Sequence, residues 1–175
     1  MSDRALRELC YGKGAHVDPV ACVEDISAEL AARRFGGYPH SIWQIVLHMN
    51  YWMEWELRKN AGENPVLPEH VIESWPTHAE PADESQWPAA RSQWQVARQK
   101  LVDNLATLVS LADSDTATLD RVVSDVNPQR KDSRQSTARA LLWMIAVHNS
   151  YHVGQIALLR RQAGAWPPAR GGFTW

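Results

Sequence analysis

Two histidines four residues apart, His148 and His152, are the first residues of this 175-residue chain whose type and spacing suggest chemistry. On an α-helix that spacing puts both rings on one face, with Cβ atoms about 6 Å apart, so both can turn toward one metal ion. His48 falls on the inward stripe of another helical segment and offers a third imidazole. A neutral imidazole buried without partners costs about 1–3 kcal/mol per unsatisfied group. Any one of the three could be an ordinary core histidine bonded to a neighbour. Three on facing stripes ask for a shared explanation, and a divalent metal satisfies all of them. Three neutral ligands leave such an ion doubly charged and coordinatively open, as in catalytic rather than closed structural sites. Water or an incoming anion could take the vacant position with a lowered pKa, and a thiol there would be deprotonated outright. A zincin needs glutamate after its first histidine; Asn149 stands there instead, which disfavours metalloprotease chemistry. Gln155, one turn beyond His152 on the same face, can hydrogen-bond a ligand ring or a substrate.

Four amphipathic helices are expected to position these residues. The first spans about Val20 to Arg34, with Asp18 as N-cap, Pro19 at N1, and Val17 and Cys22 as a hydrophobic staple. The second opens on a capping box, Ser41 with Gln44, and runs to about Asn60, its stripe reading Ile45, His48, Trp52 and Trp55. Residues 61–82 hold four prolines and read as a long crossover that lets helices two and three run in the same direction, with room for a short helical turn near Glu69–Ser74. The third helix spans about Gln86 to Ala112, with Trp94, Ala97, Leu101, Leu105 and Leu108 inward. Leu119–Val126 has some β character, or is an irregular loop. The fourth helix is expected from a second capping box, Asp132 with Gln135, to Ala163, with Gly164 at C′ and Pro167-Pro168 blocking continuation. Its inward stripe reads Leu141, Ile145, His148, His152, Gln155 and Leu159. The fold class is therefore all-α, a single four-helix-bundle domain over residues 1–175.

The other residues of note have plainer readings. His16 suits a surface role, His40 a loop beside a cap, and His70 and His78 a solvated crossover. Trp43, Trp52, Trp55, Trp94 and Trp143 sit at helical packing positions, while Trp166 and Trp175 flank the tail. Tyr51 and Tyr151 are rim or interface residues, and Arg160 and Arg161 complement the dipole at the end of helix four. Lysine and arginine total 18 against 20 acidic residues, which disfavours a nucleic-acid partner. Two cysteines, Cys10 and Cys22, read as reduced thiols of a cytoplasmic protein. The opening MSDRALRELC lacks the apolar core of a signal peptide, and no apolar run is long enough to cross a membrane.

The run Ser41-Ile-Trp-Gln-Ile-Val-Leu-His48-Met-Asn-Tyr-Trp52 and the run His148-Asn-Ser-Tyr-His152-Val-Gly-Gln155-Ile resemble the DinB-like (YfiT-type) family of metalloenzymes in order and spacing. The likeness extends from the first helix to the tail, Arg-Arg-Gln-Ala-Gly-Ala-Trp-Pro-Pro. It implies an up-down-down-up four-helix bundle, a metal held by His48, His148 and His152, and frequent homodimers. It also implies thiol-dependent transferase or isomerase chemistry with bacillithiol, mycothiol or glutathione. The expectation is a metal-dependent enzyme of the S-transferase type acting on a small molecule with a low-molecular-weight thiol. A metal-dependent hydrolase and a non-enzymatic, metal-binding dimeric bundle are the alternatives. Zn or Ni suits three imidazoles, and Fe or Mn can also serve.

Overall fold

A computed structural model describes residues 3–75, 81, 83–125 and 134–172. Three long stretches carry the architecture: α3 (Ile42–Asn60), α4 (Trp87–Ala112) and α6 (Ala138–Gln162). An N-terminal arm, containing the short helices α1 (Arg4–Cys10) and α2 (Ala28–Ala32), takes the fourth place in the bundle. A short helix α5 (Thr116–Leu119) and a two-stranded antiparallel ribbon, β1 (Val122–Asp125) with β2 (Arg134–Thr137), lead into α6. The stripe residues expected of α4 are all buried, as are Ile45, His48 and Trp55 of α3.

Contacts between elements give their directions. Trp43 packs on Trp94, the Asn50 amide donates to the Ala97 carbonyl (2.9 Å), and Glu54 pairs with Lys100, so α3 and α4 run the same way. His48 of α3 meets His148 and His152, whereas Trp55 and Lys59 face Leu141 and Met144, so α6 runs against α3. In the arm, Asp3 pairs with Arg139, His16 with Ser150 and Asp25 with Arg160, which aligns the arm with α6. Up, down, down, up is the resulting order.

Single continuous first helices form only when their carbonyls are left for their own N–H groups, and here they are not. The Asp18 carboxylate caps the N–H groups of Val20 and Ala21 as expected (2.7 and 3.0 Å). The carbonyl of Cys22 then accepts from Arg160 (2.9 Å), that of Glu24 from Arg98, and that of Ile26 from the Trp94 indole (2.8 Å). Those oxygens would serve Ile26, Ala28 and Leu30 in an unbroken helix. Side chains of α4 and α6 take them instead, and the chain restarts at Ser27, whose hydroxyl accepts from Leu30 N–H. The expected Val20–Arg34 helix is thus reduced to turns followed by α2, and α1 appears upstream with Asp3 as its cap (3.0 Å to Leu6 N–H).

Two further boundaries differ from expectation. Helix α6 starts at Ala138, with Thr137 as N-cap, because Gln135 belongs to β2; Asp132 lies outside the described residues. Val123 of β1 packs with Ala138 and Leu141, which ties the ribbon to the first turn of α6. The α3 capping box forms as read, Ser41 Oγ accepting from Gln44 N–H and Gln44 Oε1 from Ser41 N–H, both at 3.2 Å. Gly164 follows α6 with φ +70°, the left-handed conformation that ends helices. Trp143, expected in packing, is 58% exposed. Both cysteines are free and buried, and burial pushes their thiols up to about 11 at Cys10 and about 12 at Cys22. No helix among the described residues is long and apolar enough to cross a membrane.

Arg160 is buried, 2% exposed, rather than a surface complement to the helix dipole. Its guanidinium donates to the carbonyls of Cys22 and Ala165 (both 2.9 Å) and to both oxygens of Asp25 (2.6 and 3.1 Å). Arg160→Met keeps much of the volume and strands three acceptors, so unfolding free energy is expected to drop by about 2–4 kcal/mol. Urea denaturation at pH 7 measures it, and a midpoint equal to that of the wild type contradicts the assignment.

Candidate metal centre

Helix α3 brings His48 inward because its apolar stripe faces α6, and one turn of α6 supplies His148 and His152. His48 and His152 are 4% and 3% exposed, and His148 is half-buried. The Nε2 atoms of His148 and His48 lie 3.2 Å apart, and those of His148 and His152 3.1 Å apart. One nitrogen from each ring falls within 4.8 Å of the other two, a set that can hold a metal ion.

Hydrogen bonds at the far side of two rings decide where their protons are. Nδ1 of His48 donates to the Ser74 carbonyl (2.8 Å), and Nδ1 of His152 donates to Gln155 Oε1 (2.7 Å). Each neutral ring carries one proton, so both Nε2 atoms present lone pairs to the same point. His148 Nε2 can hold one proton at most, which serves one of its two neighbours and leaves the other facing a lone pair. Hydrogen bonding alone therefore leaves this cluster unsatisfied. A cation satisfies it: nitrogens about 2.0–2.1 Å from one tetrahedral zinc lie about 3.3–3.4 Å apart, close to the spacings here. Backbone or amide acceptors behind the ligand rings are the usual support of histidine metal sites.

Burial keeps these rings uncharged. It pushes His48 and His152 down to about 4, opposed by the Ser74 and Gln155 hydrogen bonds respectively, and lowers His148 as well. At neutral pH none has a proton to lose before it can bind a metal.

The crossover contains the short helical turn expected near Glu69–Ser74, and it also reaches His48. A 3₁₀ turn, Val71–Ser74, carries the acceptor for His48 and delivers Trp75 to the ring's face. The Trp75 indole stacks on His48 at 3.8 Å with 6° between planes, and its other face stacks on His40 at 3.6 Å and 6°. Its edge meets His152, 5.6 Å between centroids. His40 is therefore the outer leaf of a three-ring stack rather than a plain loop residue. His16 also departs from a surface role, bonding Ser150 Oγ (2.7 Å) and the Val17 carbonyl (2.8 Å). His70 is exposed, as read, and His78 lies outside the described residues. Tyr151 is 66% exposed, consistent with a rim or interface place. Neither Ser74 nor Trp75 bears a sequence signal, since a carbonyl is common to every residue and the crossover has no periodicity to place an indole.

A family model described as the DinB family matches residues 1–172. No curated protein matches the chain. Among solved structures, YfiT from Bacillus subtilis aligns with a TM-score of 0.52 at 18% identity, covering 92% of this chain and 85% of that one. It is described as "a probable metal-dependent hydrolase with an unusual four-helix bundle topology". At that identity the likeness is one of fold.

In the unfolded chain these imidazoles take up protons near pH 6.5, but His48 and His152 in the fold do so only near 4. The unfolded state then binds more protons between those values, so the stability of the metal-free chain is full above pH 6.5 and falls as pH drops toward 4. Urea midpoints from pH 7.5 to 4.5 are expected to decline over this window, and less steeply in His152→Gln. A profile flat across the window contradicts the buried, neutral state of the rings.

Proposed function

From the premise that the chain belongs to the DinB family, we propose that it is a metal-dependent enzyme whose divalent ion, Zn or Ni before Fe or Mn, is held by His48, His148 and His152. The observation that carries this reading is the convergence of three imidazole nitrogens, two with lone pairs fixed inward by Ser74 and Gln155. A divalent ion there would supply a nucleophile at neutral pH by lowering the pKa of a bound thiol or water. His48, His148 and His152 offer neutral donors only, which preserves the ion's full charge for that task. Gln155 fixes the His152 ring and stands half-buried on the same face. Trp75 covers the face of His48 and meets His152 at an edge.

The nucleophile we assign is a low-molecular-weight thiol, transferred to a small electrophile. No carboxylate joins the histidines among the described residues, and a thiol needs no protein base once its proton is lost to the medium. Hydrolysis is the second reading, favoured by the fold likeness to YfiT.

The outward face of α6 supports a homodimer. Trp143, Val147, Tyr151 and Leu158 recur on it at helical spacing and are 58%, 39%, 66% and 51% exposed. Gly154 lies among them, and a Cβ built there meets nothing within 4 Å, so the monomer gives no reason for a mid-helix glycine that costs about 1 kcal/mol against alanine. Close approach of the same helix from a second copy supplies one. We assign a cytoplasmic location on the two cysteines, both free thiols.

Metal-loaded protein, assayed with an aryl halide and a panel of bacillithiol, mycothiol and glutathione, is expected to release halide only when both metal and thiol are present. His48→Ala and His148→Ala are expected to lose metal and reduce turnover by roughly a hundred-fold or more. Turnover of esters or amides without thiol selects hydrolysis, and full metal occupancy without turnover selects the non-enzymatic bundle. Less than about a tenth of an equivalent of metal, in wild type and variants alike, removes the centre. For the dimer, sedimentation at tens of micromolar is expected to give twice the chain mass, and Tyr151→Glu a monomer; a wild-type monomer refutes this face.

A further inference from the structure

A cavity of about 440 Å³ opens beside His148, in the range of small-molecule sites. Its walls differ in character from the metal centre that it adjoins. Trp52 and Trp55 of α3, Leu67 of the crossover, and Leu141, Met144 and Ile145 of α6 make it apolar. Trp55, Leu141 and Ile145 are buried, and Met144 is 48% exposed, which puts Met144 at the open edge. Gln135 and Ser136 of β2 line it as uncharged polar groups. Glu56 and Lys59 also line it, both nearly fully buried, and the Lys59 ammonium lies 4.6 Å from the centroid of the Trp55 ring. They stand one turn apart on α3, an acid and a base on one wall, so that wall carries no net charge to select a charged ligand.

We infer that this cavity holds the body of the substrate, and that the body is uncharged and apolar, an aryl or alkyl group of about one ring and a short chain, with the reacting polar head at His148. The inference rests on the metal-centre reading above and adds the substrate class. Two aromatic walls and three aliphatic side chains give a ring extensive contact, while a charged tail would meet apolar surface on most sides and lose its hydration. Entry past Met144 suits an unbranched linker, since methionine can change rotamer at little cost.

Two hydroxamates test the assignment, because they share a metal-binding head and differ only in the tail: acetohydroxamate and 4-phenylbutanohydroxamate. Calorimetric titration of the zinc-loaded chain is expected to show the phenyl tail tightening binding by roughly ten-fold or more. Met144→Trp, which fills the cavity from its half-exposed edge, is expected to bring the ratio to about two-fold or less, and Met144→Leu to keep it. Equal affinities in the wild type overturn the assignment, as does a tail gain that survives Met144→Trp. A chain that takes up zinc but binds neither probe also overturns it. Failure to take up zinc is a different result: it removes the metal reading, and the substrate class with it.

Discussion

Two protons, on Nδ1 of His48 and Nδ1 of His152, fix most of what this molecule can do. Each is committed to an oxygen that can only accept, the Ser74 carbonyl and the Gln155 amide oxygen. That commitment selects the tautomer, and the tautomer aims both free lone pairs at His148. Apolar packing around the cluster then keeps the rings neutral. A bundle core would otherwise have no use for three imidazoles in contact, since they cannot satisfy one another. The cluster gathers lone pairs with too few protons among them, in groups that carry no charge themselves.

The bundle that frames it is closed by side chains as much as by helices. Arg98, Trp94 and Arg160 reach across to main-chain oxygens of the arm, which costs that segment its helical hydrogen bonds and replaces them with bonds to α4 and α6. The backbone groups remain satisfied, as burial demands, but their partners are far away in sequence. Regular structure is lost locally and the arm is pinned to two helices at once. Arg160 shows the same economy at the other end of the chain, joining the arm to the turn that follows α6.

Much of the centre was legible in the sequence. Periodicity put His48, His148 and His152 on facing stripes, and the capping box at Ser41 and Gln44 set the register of α3 correctly. Gln155 was legible for the same reason, being one helical turn from His152. The arm was misread because propensity and capping at Asp18 are local signals, while the donors that break the helix come from Trp94, Arg98 and Arg160. The N-cap of α6 was misplaced by five residues, Asp132 against Thr137, because a strand pairing with β1 competes for Arg134–Thr137, and pairing partners leave no mark in a single strand. Trp143 looked like packing because an apolar residue on an outward face is indistinguishable, by type, from one on an inward face. Ser74 and Trp75 were invisible, since what matters at the first is its backbone and at the second its arrival from a segment without a period.

The parallel course of α3 and α4 has a consequence of a different kind. A connection between parallel neighbours must travel back along the bundle, so the chain passes the metal centre whether or not it contributes there. In this molecule it does contribute, through one carbonyl and one indole. The three converging nitrogens belong to helices, and Gln155 supports His152 from α6, whereas the support of His48 belongs to a loop, the kind of segment that tolerates insertion and substitution most readily. Such a division makes the centre evolvable: the crossover can be rewritten, retuning the outlook of His48 and the wall at Leu67, while the helices that converge the ligands stay as they are.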